Sequence, residues 1–427
     1  MSKKESILLK DKHVLICVDN QVTNLDPLYS KELEYIKNNF CGIVFYDMKS
    51  FNEYVCQSKT IIYLIGNIKK NYNEIQNVQN KLFNVIEELS YNYNKNENEK
   101  YKLIDIGQVP INIYNVGVYF RNFFNPNKDY FNLINSEHQF QELTESNKPT
   151  SAFRKGIYLT KVEDINDEIK FKLLRCSSNL HGPTDNFRNT DNEIVNQVNK
   201  ASEYFFEESA ELNHVLAQIY ENKIVKTDDD KQVERKAKIK DHSDKTKDMP
   251  RNGLIAFCTF YKNYSDNKFN GAELKHIKKS NNDHYDHCFN DTSVLTKICF
   301  RLKENVNDSS FKKKFDITLY PNSVFIISLS TNRLYTHEIV PSVLPVDKIC
   351  TTRLGYVIRC SKTEAIFKDG QTYINENGNY VKLEEPNEKD VKELKGLYFK
   401  ENTSNDMIHY DKVYFSLNNG DYEKPIA

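Results

Sequence analysis

At 427 residues the chain is longer than one hydrophobic core usually grows, so two domains are expected. Its 59 basic and 60 acidic residues nearly cancel, which excludes a polycation that coats nucleic acid through net charge and confines any anion binding to local patches. Nine cysteines without a CxxC pair and no apolar stretch after MSKKES favour a reduced intracellular compartment, cytoplasmic or nuclear with no targeting signal; the longest apolar runs, TIIYLIG and SVFIISL, are strand-sized and too short for a membrane helix.

In chain order, HVLICVD, CGIVFYD, TIIYLIG, KLIDIG and INIYNVGVYF alternate with polar stretches of helical length, YSKELEYIKNNF and NEIQNVQNKLFNVIEELS. That alternation predicts a small α/β domain over residues 1–120. YNYNKNENEK reads as an exposed loop within it. Neither GxGxxG nor GxxxxGK[ST] occurs there, so the default role is structural or the binding of a protein partner. FNLINSEHQFQELTES then reads as a helix, GIYLTKV as a strand, and DNEIVNQVNKASEYFFEESAELNH as a supporting helix. Between them, the Gly, Pro, Asn and Thr of CSSNLHGPTDNFR fit a structural turn, with the lining of a substrate pocket as the alternative.

From residue 215 onward the pattern is β throughout: VLAQIYE, GLIAFCTFY, VLTKICFRLKE, FDITLY, SVFIISLS, RLYTHEIV and RLGYVIRC are split by polar loops. Many short strands with turn signals predict a mainly β domain over residues 121–427, a double-stranded β-helix of jelly-roll or cupin type with supporting helices. Residues 222–241 and 262–291 read as long charged binding loops or disorder. In the second, KHIKKSNNDHYDHC holds His276, His284, His287 and Cys288, a composition that suits zinc at a spacing that matches no standard finger; a polar loop is the alternative.

The chemistry gathers around KIKDHSDKTKDMP. His242 and Asp244 are two positions apart, so on an extended backbone they project to one side and can reach one ion. A non-haem Fe(II) site needs two imidazoles and a carboxylate, and His337 in RLYTHEIV is the candidate for the missing imidazole; the alternatives are an exposed loop with a capping Asp for His242 and Asp244 and a satisfied strand histidine for His337. In RLGYVIR, Arg353 and Arg359 are an even number of positions apart and share a strand face; they suit a bidentate grip on a carboxylate, or are surface residues. Arg235, Lys236, Lys238, Lys240, Lys245 and Lys247 make either a solvated loop or a contact with nucleic-acid phosphates, with the ammoniums pointing away from any metal they would repel. Phe257, Phe260, Tyr261 and Tyr335 suit stacking on a base, although strand aromatics are more often core.

HSD, then PNSVFIIS, then His337 and an R-x5-R strand resemble the AlkB-like branch of the 2-oxoglutarate and Fe(II)-dependent dioxygenases, over about residues 215–367 and more loosely over 156–214. The resemblance implies Fe(II), 2-oxoglutarate as co-substrate and O2. It implies that Arg353 grips the 2-oxoglutarate carboxylate, that Arg359 shapes the pocket and that Tyr220 touches the co-substrate; Gln218 stands where the family commonly has Asn. The activity implied is oxidative hydroxylation or demethylation, mostly of nucleic-acid bases, with Lys240, Lys245 and Tyr335 as candidate substrate contacts. Protein side-chain hydroxylation and a non-catalytic, partner-binding cupin-like scaffold are the alternatives.

Overall fold

A computed structural model describes residues 8, 11–18, 27–54, 59–78, 81–93, 100–145, 148–176, 180–227 and 229–427; among them the chain is mainly β, with several sheets and few helices. Strands that are apolar on both faces suit a parallel sheet. His13–Cys17, buried at every position, lies between Ile43–Phe45 and Ile61–Asn67, and Phe83–Tyr91 and Tyr101–Ile104 complete this five-stranded parallel sheet. The segment expected as one helix, NEIQNVQNKLFNVIEELS, divides into the short helix Tyr72–Asn77 and the strand Phe83–Tyr91. Burial of Phe83, Val85, Ile86 and Leu89 against the sheet outweighs a composition that suits a helix. Of the YNYNKNENEK loop, residues 94–99 lie outside the described residues.

The next two strands leave this sheet. Gly117–Phe120 pairs with Ser323–Ser328, and Ile111–Ile113 pairs with Gly117–Phe120. A Cβ on Gly117 would lie 2.4 Å from the Ile326 carbonyl oxygen, so the approach requires glycine. They form one edge of a large sheet that runs Asp185–Asn186, Lys148–Thr160, His214–Glu221, Thr352–Arg359, Leu254–Tyr261, Ser323–Ser328, Gly117–Phe120, Ile111–Ile113. Side chains alternate across it. Leu354, Tyr356 and Ile358 pack with Ile194 and Val198 of the helix Asn189–Ser202 and with Tyr130 of the helix Tyr130–Glu137. On the opposite face Tyr220, Phe257, Phe325 and Val357 share a cluster with Ile298, Phe300, Phe315 and Ile339 of a smaller antiparallel sheet, ordered Ile239–His242, Tyr335–Val340, Lys297–Leu302, Lys314–Thr318. That shared face positions the site.

Several expectations change. FNLINSEHQFQELTES is helical only to Glu137, after which Gln141–Glu145 is a strand. Residues 222–241 contain the hairpin Lys223–Lys226 with Gln232–Arg235, and 262–291 contain the pairs Tyr264–Ser265 with Lys268–Phe269 and Lys278–Lys279 with His287–Phe289. Their turns use Asp230, Asn263, Asp266 and Asn267 at positive φ, a conformation Asn and Asp tolerate better than other side-chain residues, so turn chemistry hid inside what read as polar loops. Nor is the chain β throughout after residue 215: Asn387, whose side chain accepts from the Asp390 N–H, starts the helix Glu388–Thr403. No helix among the described residues is long and apolar enough to cross a membrane.

Candidate metal centre

The strand Ile239–His242 runs antiparallel to Tyr335–Val340, and their register sets His242 opposite His337. Cross-strand neighbours touch; the two ring centroids are 4.5 Å apart with planes at 50°. The chain leaves the sheet after His242, so Asp244 is placed by hydrogen bonds instead. Its N–H donates to Asn332 Oδ1 at 2.9 Å, and Asn332 Nδ2 donates back to the Asp244 carbonyl at 2.9 Å. His242, Asp244 and His337 thereby offer one ligand atom each, all within 4.8 Å of one another. Glu137, His138 and Asp191 also converge, but His138 is engaged at both nitrogens, by Asp185 at 2.7 Å and Asp191 at 2.8 Å, leaving no lone pair for an ion.

The charges of the three side chains suit a cation. His242 Nδ1 lies 2.9 Å from the Lys240 carbonyl, which can only accept, so the proton sits at Nδ1 and Nε2 keeps its lone pair. Burial lowers the pKa of His242 and takes that of His337 down to about 3, so both imidazoles are neutral at physiological pH. Burial, the largest influence on Asp244, pushes it toward its neutral acid, but the surrounding positive groups together, led by the Arg359 guanidinium 3.6 Å from Oδ1, hold the carboxyl below its ordinary value. Two neutral imidazoles and one carboxylate are the donor set of a non-haem iron site. Asp244 Oδ2 and His337 Nδ1 are buried without a hydrogen-bond partner, an unfavourable arrangement that a bound ion relieves at the carboxylate.

The three side chains open on a cavity of about 60 Å³, also lined by Gln218, Tyr220, Phe257, Thr259, Arg353, Gly355 and Arg359. Arg353 is buried, its guanidinium 4.2 Å from the centre of the Tyr220 ring, and its Nε and Nη2 have no partner. Tyr220 donates its hydroxyl to Gln218 Oε1 at 3.0 Å. Arg359 Nη1 instead donates to Cys176 Sγ at 3.2 Å and faces Asp244, so the two arginines share a face but serve different neighbours.

Other expected site residues lie elsewhere. Lys245 and Lys247 are buried rather than pointing to solvent. Lys245 Nζ donates to the Ser243 and Tyr398 carbonyls and to Asn402, and Lys247 Nζ to Asp248 at 3.2 Å; the oxygens around them offset the loss of water, and Lys245 is withdrawn from any substrate. Arg235, Lys238 and Lys240 are exposed. Tyr335 is also withdrawn: it packs among Phe300 and Phe315 and donates to the Lys312 carbonyl at 3.0 Å. Of the aromatics, Phe257 lines the cavity with its ring centroid 5.2 Å from that of His337, whereas Phe260 is on the helix-covered face. Tyr261 donates its hydroxyl to the Leu319 carbonyl at 3.0 Å. His276, His284, His287 and Cys288 do not form a metal-ligand group among the described residues; His287 sits between Tyr264 and Phe269, with centroids 5.5 and 4.9 Å away. In CSSNLHGPTDNFR, residues 177–179 lie outside the described residues, and Gln141 Oε1 accepts from the N–H groups of His181 and Gly182 as in a structural turn. Asn332 and Gly355 are contributors that no motif announced, and Cys176, the first residue of CSSNLHGPTDNFR, reaches the site only through Arg359.

No family model matches the chain, and no curated protein matches it. Among solved structures, one titled "The structure of OsALKBH1" is similar over 45% of this chain and 78% of its own, at 14% identity and a TM-score of 0.24, a likeness too slight to bear on fold or activity.

Proposed function

We propose that this chain is an Fe(II)- and 2-oxoglutarate-dependent dioxygenase whose paired sheets, large and small, form a double-stranded β-helix. The observation that carries this reading is one cavity lined by His242, Asp244 and His337 together with a buried Arg353 whose Nε and Nη2 have no partner. Bound there, Fe(II) supplies the activation of O2 that amino-acid side chains do not provide. The chain's own residues orient and exclude. His242 and His337 present neutral nitrogens, and Asp244 contributes the single negative charge. Arg353, stacked on Tyr220, is aimed to donate to a carboxylate of the co-substrate. Ile239, Ile298, Leu319 and Ile339 line the cavity with apolar surface that keeps water from competing for that carboxylate.

For the substrate we propose a nucleic-acid base. Support comes from Arg235, Lys238 and Lys240, which are exposed and shortly precede His242 in the chain, so that they are free to meet phosphates, and from Phe257 beside His337. The test is anaerobic addition of Fe(II) and 2-oxoglutarate, which is expected to give a weak visible charge-transfer band, followed by succinate release measured in parallel with methylated DNA, methylated RNA and a peptide library. No band in metal-loaded protein sinks the enzyme reading and leaves a scaffold; turnover with peptides alone replaces the base by a protein side chain.

Gly355 gives an independent check. A Cβ there would stand 3.1 Å from Arg353 Nη1 and 3.1 Å from the Tyr220 ring, so this glycine keeps the arginine shelf open. Overpacking of this kind costs roughly 1–3 kcal/mol, and where that cost falls on the arginine shelf Gly355→Val is expected to weaken 2-oxoglutarate binding by about 5- to 160-fold. Its Mn(II) affinity should stay at the wild-type value, because the metal ligands are not touched. Equal 2-oxoglutarate affinity in a folded Gly355→Val would show that the co-substrate lies elsewhere.

A further inference from the structure

We infer that Asn402, near the end of the C-terminal helix Glu388–Thr403, is a positioning residue for the metal-ligand loop; this rests on the metal-binding reading above. Beyond His242 the backbone has left the sheet, and its N–H groups are taken by side chains far away in sequence. Ser243 N–H donates to Asn402 Oδ1 at 3.0 Å, Asp244 N–H to Asn332 Oδ1 at 2.9 Å, and Thr246 N–H to the Glu401 carboxylate at 3.1 and 3.3 Å. Asn402 Oδ1 also accepts from Lys245 Nζ at 2.6 Å. One oxygen therefore holds both residues that flank the ligand Asp244.

The helix end is itself locked to this loop by two lysines. Lys245 Nζ reaches the Tyr398 carbonyl at 3.2 Å, and Lys303 Nζ reaches those of Glu401 at 2.6 Å and Ser404 at 3.0 Å. Cations at a helix C-terminus oppose the helix dipole, and Lys303 also satisfies the Glu401 carbonyl, one of the last four, which have no intrahelical partner. The last turn of the helix is thus a fixed platform, and Asn402 transmits its position to residues 243–245. Loss of the shared acceptor leaves the buried Ser243 N–H unpaired and Lys245 short of one partner, which releases the turn that aims Asp244.

Mn(II) alone, followed by electron paramagnetic resonance, is the probe. Asn402→Ala is expected to bind Mn(II) about 10- to 100-fold more weakly, as changes behind a metal ligand typically do, with an altered spectrum of the bound ion. Asn402→Asp keeps an acceptor oxygen in the same place and is expected to restore wild-type affinity. Glu393→Gln, on the solvent face of the same helix where Glu393 is 66% exposed, is expected to leave it unchanged. If Asn402→Ala does not fold, Asn402→Ser, whose side chain is one atom shorter, takes its place under the same outcomes. A wild type that binds no Mn(II) overturns the metal reading itself. A wild type that binds while the folded Asn402 variant binds equally tightly overturns only the positioning role.

Discussion

Asp244→Ala is expected to abolish Mn(II)- or Fe(II)-dependent stabilisation. The wild type should gain about 2.7 kcal/mol when the metal is present at about 100 times its dissociation constant, and the variant none. Asp244 is the only anion among the three converging side chains, so its loss leaves two neutral imidazoles. It also leaves the buried Arg359, 3.6 Å from the lost carboxylate oxygen, as an uncompensated cation beside the ion. Repulsion then replaces attraction at a site shielded from water, where charges are poorly screened. Asp244→Asn keeps the shape without the charge and separates electrostatics from packing. Thermal unfolding with and without Mn(II) is the measurement; an undiminished metal-dependent rise in Tm for Asp244→Ala would exclude this carboxylate as a ligand.

The second large effect concerns stability and lies on the far face of the same sheet. His138 is buried between Asp185 and Asp191, and Tyr356, one residue beyond Gly355 in the strand Thr352–Arg359, donates its hydroxyl to Asp191 Oδ1 at 2.7 Å. Burial works against the charged imidazole, but hydrogen bonds to the two carboxylates outweigh it and raise its pKa from 6.5 to about 9. A raised histidine contributes stability that is fully present below its unfolded value of 6.5 and is lost as pH rises through about 9. The shift corresponds to roughly 3 kcal/mol. His138→Ala leaves two buried carboxylates without their cation, although Asp185 retains Arg188 at 2.8 Å. At pH 6 a loss of about 3–5 kcal/mol is expected, shrinking toward pH 10. Urea unfolding of both proteins across that range isolates the contribution, because groups common to the two cancel; a difference independent of pH would mean that His138 is not charged in the fold.

How much of the site could be read from the sequence differs from residue to residue. His242 and His337 were legible, and the register that sets them opposite each other explains why a histidine near the end of RLYTHEIV is a plausible partner for HSD. Arg353 and Arg359 were legible as a pair on one face, because an even separation on a strand has only one geometric outcome. Lys245 was misread for a physical reason: lysine in a polar run is usually solvated, and its burial depends on the Tyr398 carbonyl and the Asn402 side chain of a helix more than a hundred positions away, together with the Ser243 carbonyl. Tyr335 was misread in the opposite sense, since a strand tyrosine looks the same in sequence whether it faces a cavity or a core.

Local chemistry in the sequence by itself determined the mainly β character of the second part of the chain, the α/β alternation before it and the identity of the converging donors. These follow from side-chain periodicity and from which atoms can bind an ion, both of which are properties of short segments. Tertiary structure alone decided that Ile111–Phe120 joins the large sheet, that the C-terminal helix holds the ligand loop, and that Arg359 supports Asp244 while Arg353 has donors with no partner. Each of those depends on contacts between residues distant along the chain, whose pairing is set by the packing of whole sheets and leaves no mark in any short stretch of sequence.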